Sequence, residues 1–145
     1  MRKKLEELPV FLKAQELSVA VTAILALPAF VKNHTHRTQI AAALDSIQSN
    51  MSEGYEQSTD AHLASYLYRS KGSVAEVISR LKTAQRRGWI PQDACDRCVA
   101  LGEEIGRMLG GWIKYLARCD WKDRGRHRAK FGQRDAGRPH ATRTK

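Results

Sequence analysis

Three observations predict an all-α fold, an antiparallel up-down four-helix bundle followed by a disordered basic C-terminal tail. Apolar residues recur at helical spacing over four long stretches. No stretch shows the period-two alternation of a half-buried strand, and the connectors are short, carrying proline, glycine or capping residues. The bundle is assigned to residues 1–119 and the tail to 120–145, where nine Lys/Arg stand against three Asp with hardly any large apolar residue to bury.

The first helix opens at Pro9, whose missing N–H is harmless in a first turn, and continues through Phe11, Ala14, Leu17, Val21 and Ile24 or Leu25. It should end near Leu27, because Pro28 disfavours helical geometry in the residue before it. Ala29 to His36 then reads as a connector, with Asn33 and His34-Thr35-His36 as turn formers. Ile40, Ala43, Leu44, Ile47, Met51 and Gly54 fall on one face of a second helix from about Arg37 to Glu56. Ser58, Thr59 and Asp60 are cap candidates for a third, whose inward stripe is Leu63, Leu67, Ser70, Val74, Val77 and Leu81 and whose stop is Gly88-Trp89. Pro91 starts the fourth, with Asp93 at the positive end of the helix dipole and Cys98, Leu101, Ile105, Met108, Leu109, Trp112 and Leu116 as its apolar face. Gly102, Gly106 and Gly110 repeat along one flank of that helix. Each glycine weakens a helix by up to ~1 kcal/mol relative to Ala. The repeat therefore predicts close approach by a neighbouring helix or subunit.

A chain of 145 residues with 42% apolar residues has the size and composition of a single domain. Its formal net charge is +10, of which the tail supplies about +6 and residues 1–119 about +4. Such a balance invites polyanions, since Lys and Arg release condensed counterions when they meet phosphates. No uninterrupted apolar run reaches membrane-spanning length; the best, Val19 to Val31, is broken by Pro28, and the N-terminus turns acidic too early for a secretory signal. Three cysteines, an odd number, argue for a reducing compartment rather than a disulfide framework, so a cytoplasmic protein without a membrane partner is expected.

The reactive side chains do not assemble into a recognisable catalytic set. Cys95-x-x-Cys98 lacks the further ligands zinc requires and the strand-to-helix setting of a redox pair, so both read as core or surface thiols. His34 and His36 are too few for a metal site. Glu53 with Tyr55, or Glu103 with Glu104, has no accompanying nucleophile, phosphate loop or His/Asp set. The expectation is a protein that is not an enzyme and has no catalytic residues, metal or cofactor. The basic residues are better organised. Arg107, Lys114 and Arg118 lie opposite the apolar stripe of the fourth helix and lead into Lys122, Arg124, Arg126, Arg128 and Lys130. On the third helix Arg69, Arg80 and Arg87 share one flank of the core stripe, and Lys71 and Lys82 the other. These are the candidate nucleic-acid contacts, with RNA favoured, and phosphate contacts of this sort give affinity with little base specificity.

Residues Asp45 to Ser73 carry a second kind of information. Asn50, Glu53 and Ser73 are polar positions on otherwise periodic apolar segments, expected at the margin of the core, where buried polar groups need partners. Asn50 and Ser73 are expected to meet across the seam between the second and third helices, with Gly54 and Gly72 allowing close approach. The blocks Ser49-Asn50-Met51-Ser52-Glu53-Gly54-Tyr55 and Lys71-Gly72-Ser73 stand together with Leu8-Pro9-Val10, Ala14, Glu16-Leu17, Tyr66-Leu67, Glu76-Val77 and Glu104-Ile105-Gly106-Arg107-Met108-Leu109. On these residues the chain resembles, over about 5–118, the four-helix bundle proteins related to those encoded in 23S ribosomal RNA intervening sequences. It resembles more distantly the Avd accessory proteins of diversity-generating retroelements. The resemblance implies an antiparallel four-helix protomer, a ring-like homopentamer and no catalytic residues. Its Avd branch implies a basic scaffold that binds a reverse transcriptase and its RNA, while the Ser-Asn-x-x-Glu-Gly-Tyr block places this chain nearer the intervening-sequence branch.

Overall fold

The computed structural model describes residues 3–118. The expectations for the segment 120–145, including Lys122, Arg124, Arg126, Arg128 and Lys130, therefore lie outside the described residues. Among those described there are five α-helices, a single 3-10 turn and no strand. They are α1 (Pro9–Leu25), α2 (Pro28–Lys32), α3 (His34–Tyr55), α4 (Asp60–Arg86) and α5 (Gln92–Arg118), with the 3-10 turn at Leu5–Glu7. The four long helices run up and down; α1 and α4 each pack against α3 and α5, which places α1 and α4 across the diagonal. Leu17, Val21, Ile40, Ile47, Met51, Leu63, Leu67, Val77, Leu81, Ile105 and Leu109 fill the centre and are almost wholly shielded from solvent. Burying such a side chain contributes about 1.5–3 kcal/mol, and these four stripes hold the bundle together.

The connector expected at Ala29 to His36 is instead helical. Pro28 occupies the first turn of α2 as well as ending α1, and Leu27 before it is extended, as a pre-proline residue must be. The five residues of α2 are too few to display a period. Their purpose is visible in Phe30, fully buried and set edge-on to Trp89 at 5.9 Å, which closes that end of the core. His34, Thr35 and His36 form the first turn of α3, and the Arg37 Nε donates to the Leu25 carbonyl at 3.2 Å, satisfying a C-terminal acceptor of α1.

The other boundaries follow their residues. Thr59 caps α4, its hydroxyl accepting from the His62 N–H at 3.2 Å. At the far end Gly88 takes φ +74°, its N–H donates to Gln85 and that of Trp89 to Ala84, a Schellman stop that needs glycine at this position. Cys95, Gly102 and Ile113 join the buried face of α5, whereas Leu101 and Met108 sit at its partly buried edges.

The α3–α4 seam is the closest in the molecule to what the family-marking blocks suggest, with corrections. Asn50 and Ser73 are joined through Ser46: its hydroxyl lies 2.7 Å from the Ser73 hydroxyl and accepts from Asn50 Nδ2 at 2.9 Å. Ser70, fully buried, donates to the Ile47 carbonyl at 2.7 Å one turn further on. Gly54 does permit close approach, since a Cβ there would stand 2.6 Å from the Tyr66 Cβ. Gly72 does not: it is exposed and a Cβ would meet nothing within 4 Å. Glu53 is likewise exposed rather than at the core margin, because it lies on the solvent side of α3 beyond the stripe that ends in Met51 and Gly54. Tyr55 is buried, packs edge-on to Trp112 and donates its hydroxyl to the Lys3 carbonyl at 2.9 Å, pinning the start of the described chain to the bundle.

Candidate nucleic-acid interface

Helix α5 buries the stripe Cys95, Cys98, Ile105, Leu109, Trp112 and Leu116, so the residues half a turn away face solvent. Arg107, Lys114 and Arg118 are all exposed, and Arg118 Nε donates back to the Lys114 carbonyl at 3.4 Å. Lys13 with Glu16 and Glu104, and Arg80 with Glu76, are ion pairs among the described residues, and they engage none of the three. These cations are thus left to solvent or a counter-charge, and the helix that carries them leads directly towards the basic segment after residue 118.

The α4 set is placed differently. Arg80 overhangs α3, its Nε donating to Glu76 Oε1 at 3.1 Å and its Nη1 to Gln39 Oε1 at 2.7 Å. Arg87 lies over the Trp89 ring at 5.2 Å and its Nη1 donates to His36 Nε2 at 3.1 Å; a guanidinium has no acceptor, so the imidazole nitrogen accepts. Arg69 lies over the Tyr66 ring at 4.8 Å. The Arg flank therefore borders the α3 seam, while Lys71 on the opposite flank reaches over α5, with its Nζ 3.4 Å from where a Cβ of Gly110 would be. The structure brings Arg80 and Arg87 together and sets them apart from Arg107, Lys114 and Arg118. His36, Gln39 and Trp89 complete the α3–α4 group without a signal of their own in the sequence: Trp89 follows a helix stop, and His36 sits where a connector is expected.

Of the glycine flank, one member meets the expectation of helix packing. A Cβ on Gly102 would come within 2.9 Å of Ile78 on α4. At Gly106 there is open space. A second concave surface lies between α1 and α5, lined by Leu12, Glu16, Val19, Ala23 and Arg97, where Leu12 and Val19 are 46% and 74% exposed.

Cys95 and Cys98 are core thiols. Burial raises both pKa values above the ordinary 9.0; the neighbouring Asp96 charge adds to the effect at Cys95 against an opposing Lys82, and at Cys98 Arg97 opposes it. Cys95 donates its S–H to the Leu81 carbonyl at 3.6 Å, as a protonated thiol does. Neither has the lowered pKa of a reactive cysteine.

The family model described as 23S rRNA-intervening sequence protein matches residues 6–111. The chain belongs to this family. Comparison with curated proteins finds no match. Within the 23S rRNA-intervening sequence protein match lie the 3-10 turn from Glu6 onward, α1 to α4 and all but about the last two turns of α5. Gly54, Tyr55 and Ser73, inside it, do structural work: close approach, a buried ring and the Ser46 hydrogen bond. Arg107 lies inside the matched segment and Lys114 and Arg118 beyond it, so the candidate interface straddles its end.

Proposed function

We propose that this protein is a non-enzymatic, cytoplasmic, homo-oligomeric bundle that binds RNA or another nucleic acid through the outer face of α5 and the basic segment that follows. The observation that carries this reading is the exposed row Arg107, Lys114 and Arg118, without carboxylate partners among the described residues, on a helix leading towards a segment with nine Lys/Arg. Exposed cations aligned on one face are the electrostatic footprint of a phosphate-tracking surface. Filter binding to RNA at several salt concentrations tests it. Binding that weakens steeply with salt is expected; no binding at low salt, or affinity indifferent to salt, would overturn it.

Self-association is supported by the apolar concavity between α1 and α5 and by the open space at Gly106. A homopentamer is the form the resemblance implies. The same exposed Leu12 and Val19 favour the second reading, an interaction scaffold on the Avd pattern whose protein partner is a reverse transcriptase. Gene neighbourhood separates the two: a retroelement reverse transcriptase alongside supports the scaffold, an rRNA operon the first reading.

A further inference from the structure

Between α3, α4 and Trp89 a cavity of about 330 Å³ opens, walled by His36, Glu76, Ser79, Arg80, Thr83 and Trp89. We propose that this cavity takes one unpaired nucleotide, its base held against Trp89 and Glu76 and its phosphate at the rim on Arg87. The volume is at the low end of small-molecule sites, which run from about 300 to 1,000 Å³, so it suits a single nucleotide and excludes a base pair. The walls combine an indole and an imidazole, set edge-on at 5.0 Å, with two hydroxyls, and bases bind by stacking on aromatic side chains and by edge hydrogen bonds.

The charges orient the ligand. Glu76, exposed at the wall and paired through Oε1 with Arg80, keeps its other carboxylate oxygen as an acceptor, which suits a group that donates N–H. Arg87 is exposed and held over one face of Trp89 by its cation–π contact and by His36, with other N–H groups of its guanidinium left to meet a phosphate. Arg80 is fixed by Gln39 and Glu76, so the wall is largely preorganised. A carboxylate in the wall favours bases that donate, guanine most because its N1–H and amino group stand side by side, and uracil least. The inference takes its ligand class from the nucleic-acid reading but adds what the α5 face lacks, a preference for unpaired and amino-bearing bases.

The test uses the full chain, a short oligouridine strand, the same strand carrying one guanine, and two variants. Ser79→Phe fills the cavity from an exposed position without changing charge, and Glu76→Gln removes the carboxylate. The wild type should bind the guanine-containing strand about tenfold tighter than oligouridine, the order of one charge-assisted hydrogen-bonded base contact. Ser79→Phe should erase that preference while leaving oligouridine affinity and its salt dependence intact. Glu76→Gln should lose the preference yet bind oligouridine somewhat more tightly, an opposite effect that misfolding would not produce. Equal affinity of the wild type for the two strands, or a preference that survives Ser79→Phe, would overturn the proposal. If neither strand binds, the α5 reading fails first, and quenching of tryptophan fluorescence by guanosine monophosphate in a Trp121→Phe chain, where Trp112 is buried in the core, decides the cavity alone. Quenching lost in Ser79→Phe upholds it, and its absence with Ser79 intact overturns it.

Discussion

Gly54→Ala is the substitution in which two opposing effects can be weighed from the structure. The new methyl would stand 2.6 Å from the Tyr66 Cβ, 3.3 Å from Leu63 Cδ1 and 3.4 Å from the Leu63 carbonyl oxygen. Carbon atoms pack at about 3.5–4.0 Å, so α3 and α4 would have to part by about 1 Å. The Tyr66 Cβ is fixed to the backbone and cannot rotate aside, and separation also strains the Ser46–Ser73 and Ser70–Ile47 hydrogen bonds. Overpacking of this kind costs ~1–3 kcal/mol, against the ~1 kcal/mol that Ala gains over Gly in a helix, leaving a net destabilisation of up to about 2 kcal/mol. Gly72→Ala is the control: it is exposed and meets nothing within 4 Å, so the helix gain of up to ~1 kcal/mol stands alone. Urea unfolding followed by far-UV circular dichroism, at one protomer concentration, should lower the midpoint for Gly54→Ala and raise it for Gly72→Ala with unchanged m. Equal stabilisation by both would refute the reasoning that helix approach fixes Gly54.

Ser46→Ala, which removes the hydroxyl joining Asn50 to Ser73, should cost ~1 kcal/mol, and Ser46→Ala with Ser73→Ala should cost less than the two separately; strict additivity in urea unfolding would deny the shared hydrogen bond. Because burial raises the Cys95 and Cys98 pKa values, the folded state favours the neutral thiols, and the resulting stability is intact below the ordinary value of 9.0 and lost as pH climbs through the folded values. In a Cys119→Ser chain, therefore, thiol reagents should label neither cysteine at neutral pH until urea is added, and fast labelling of the folded protein would contradict their placement. Val19→Glu puts a charge into the concavity between α1 and α5. Light scattering should report a smaller particle than the wild-type oligomer with unchanged helicity, and an unaltered particle would move the contact elsewhere.

The four long helices were legible because each carries enough turns for its stripe to repeat, and because Pro9, Thr59, Gly88 and Pro91 act through local geometry. Helix α2 was not: five residues hold little more than one turn, and the burial of Phe30 depends on Trp89, far along the chain. The same limit governs the polar seam. Asn50 and Ser73 stand out as polar breaks in apolar stripes, but Ser46, which connects them, looks like any half-exposed serine until α3 and α4 are docked. Gly54 and Gly72 illustrate it most clearly. Sequence marks both as small, and only tertiary packing distinguishes the one pressed against Tyr66 from the one open to solvent. For the candidate site, periodicity places Arg107, Lys114 and Arg118 on one exposed face, whereas the gathering of Arg80, His36 and Trp89 around a cavity, with Arg87 against His36 and Trp89, depends on how α3 and α4 dock.

The most direct measurement of the central claim is the salt dependence of RNA binding, compared between the wild-type chain and a variant carrying Arg107→Gln, Lys114→Gln and Arg118→Gln. Each phosphate contact to single-stranded RNA contributes about 0.7 to the slope of log affinity against log salt concentration. Losing the α5 face should therefore weaken binding at low salt and flatten the slope by about two, with helicity and particle size unchanged. A variant with the wild-type affinity and slope would contradict the assignment of nucleic-acid binding to the outer face of α5.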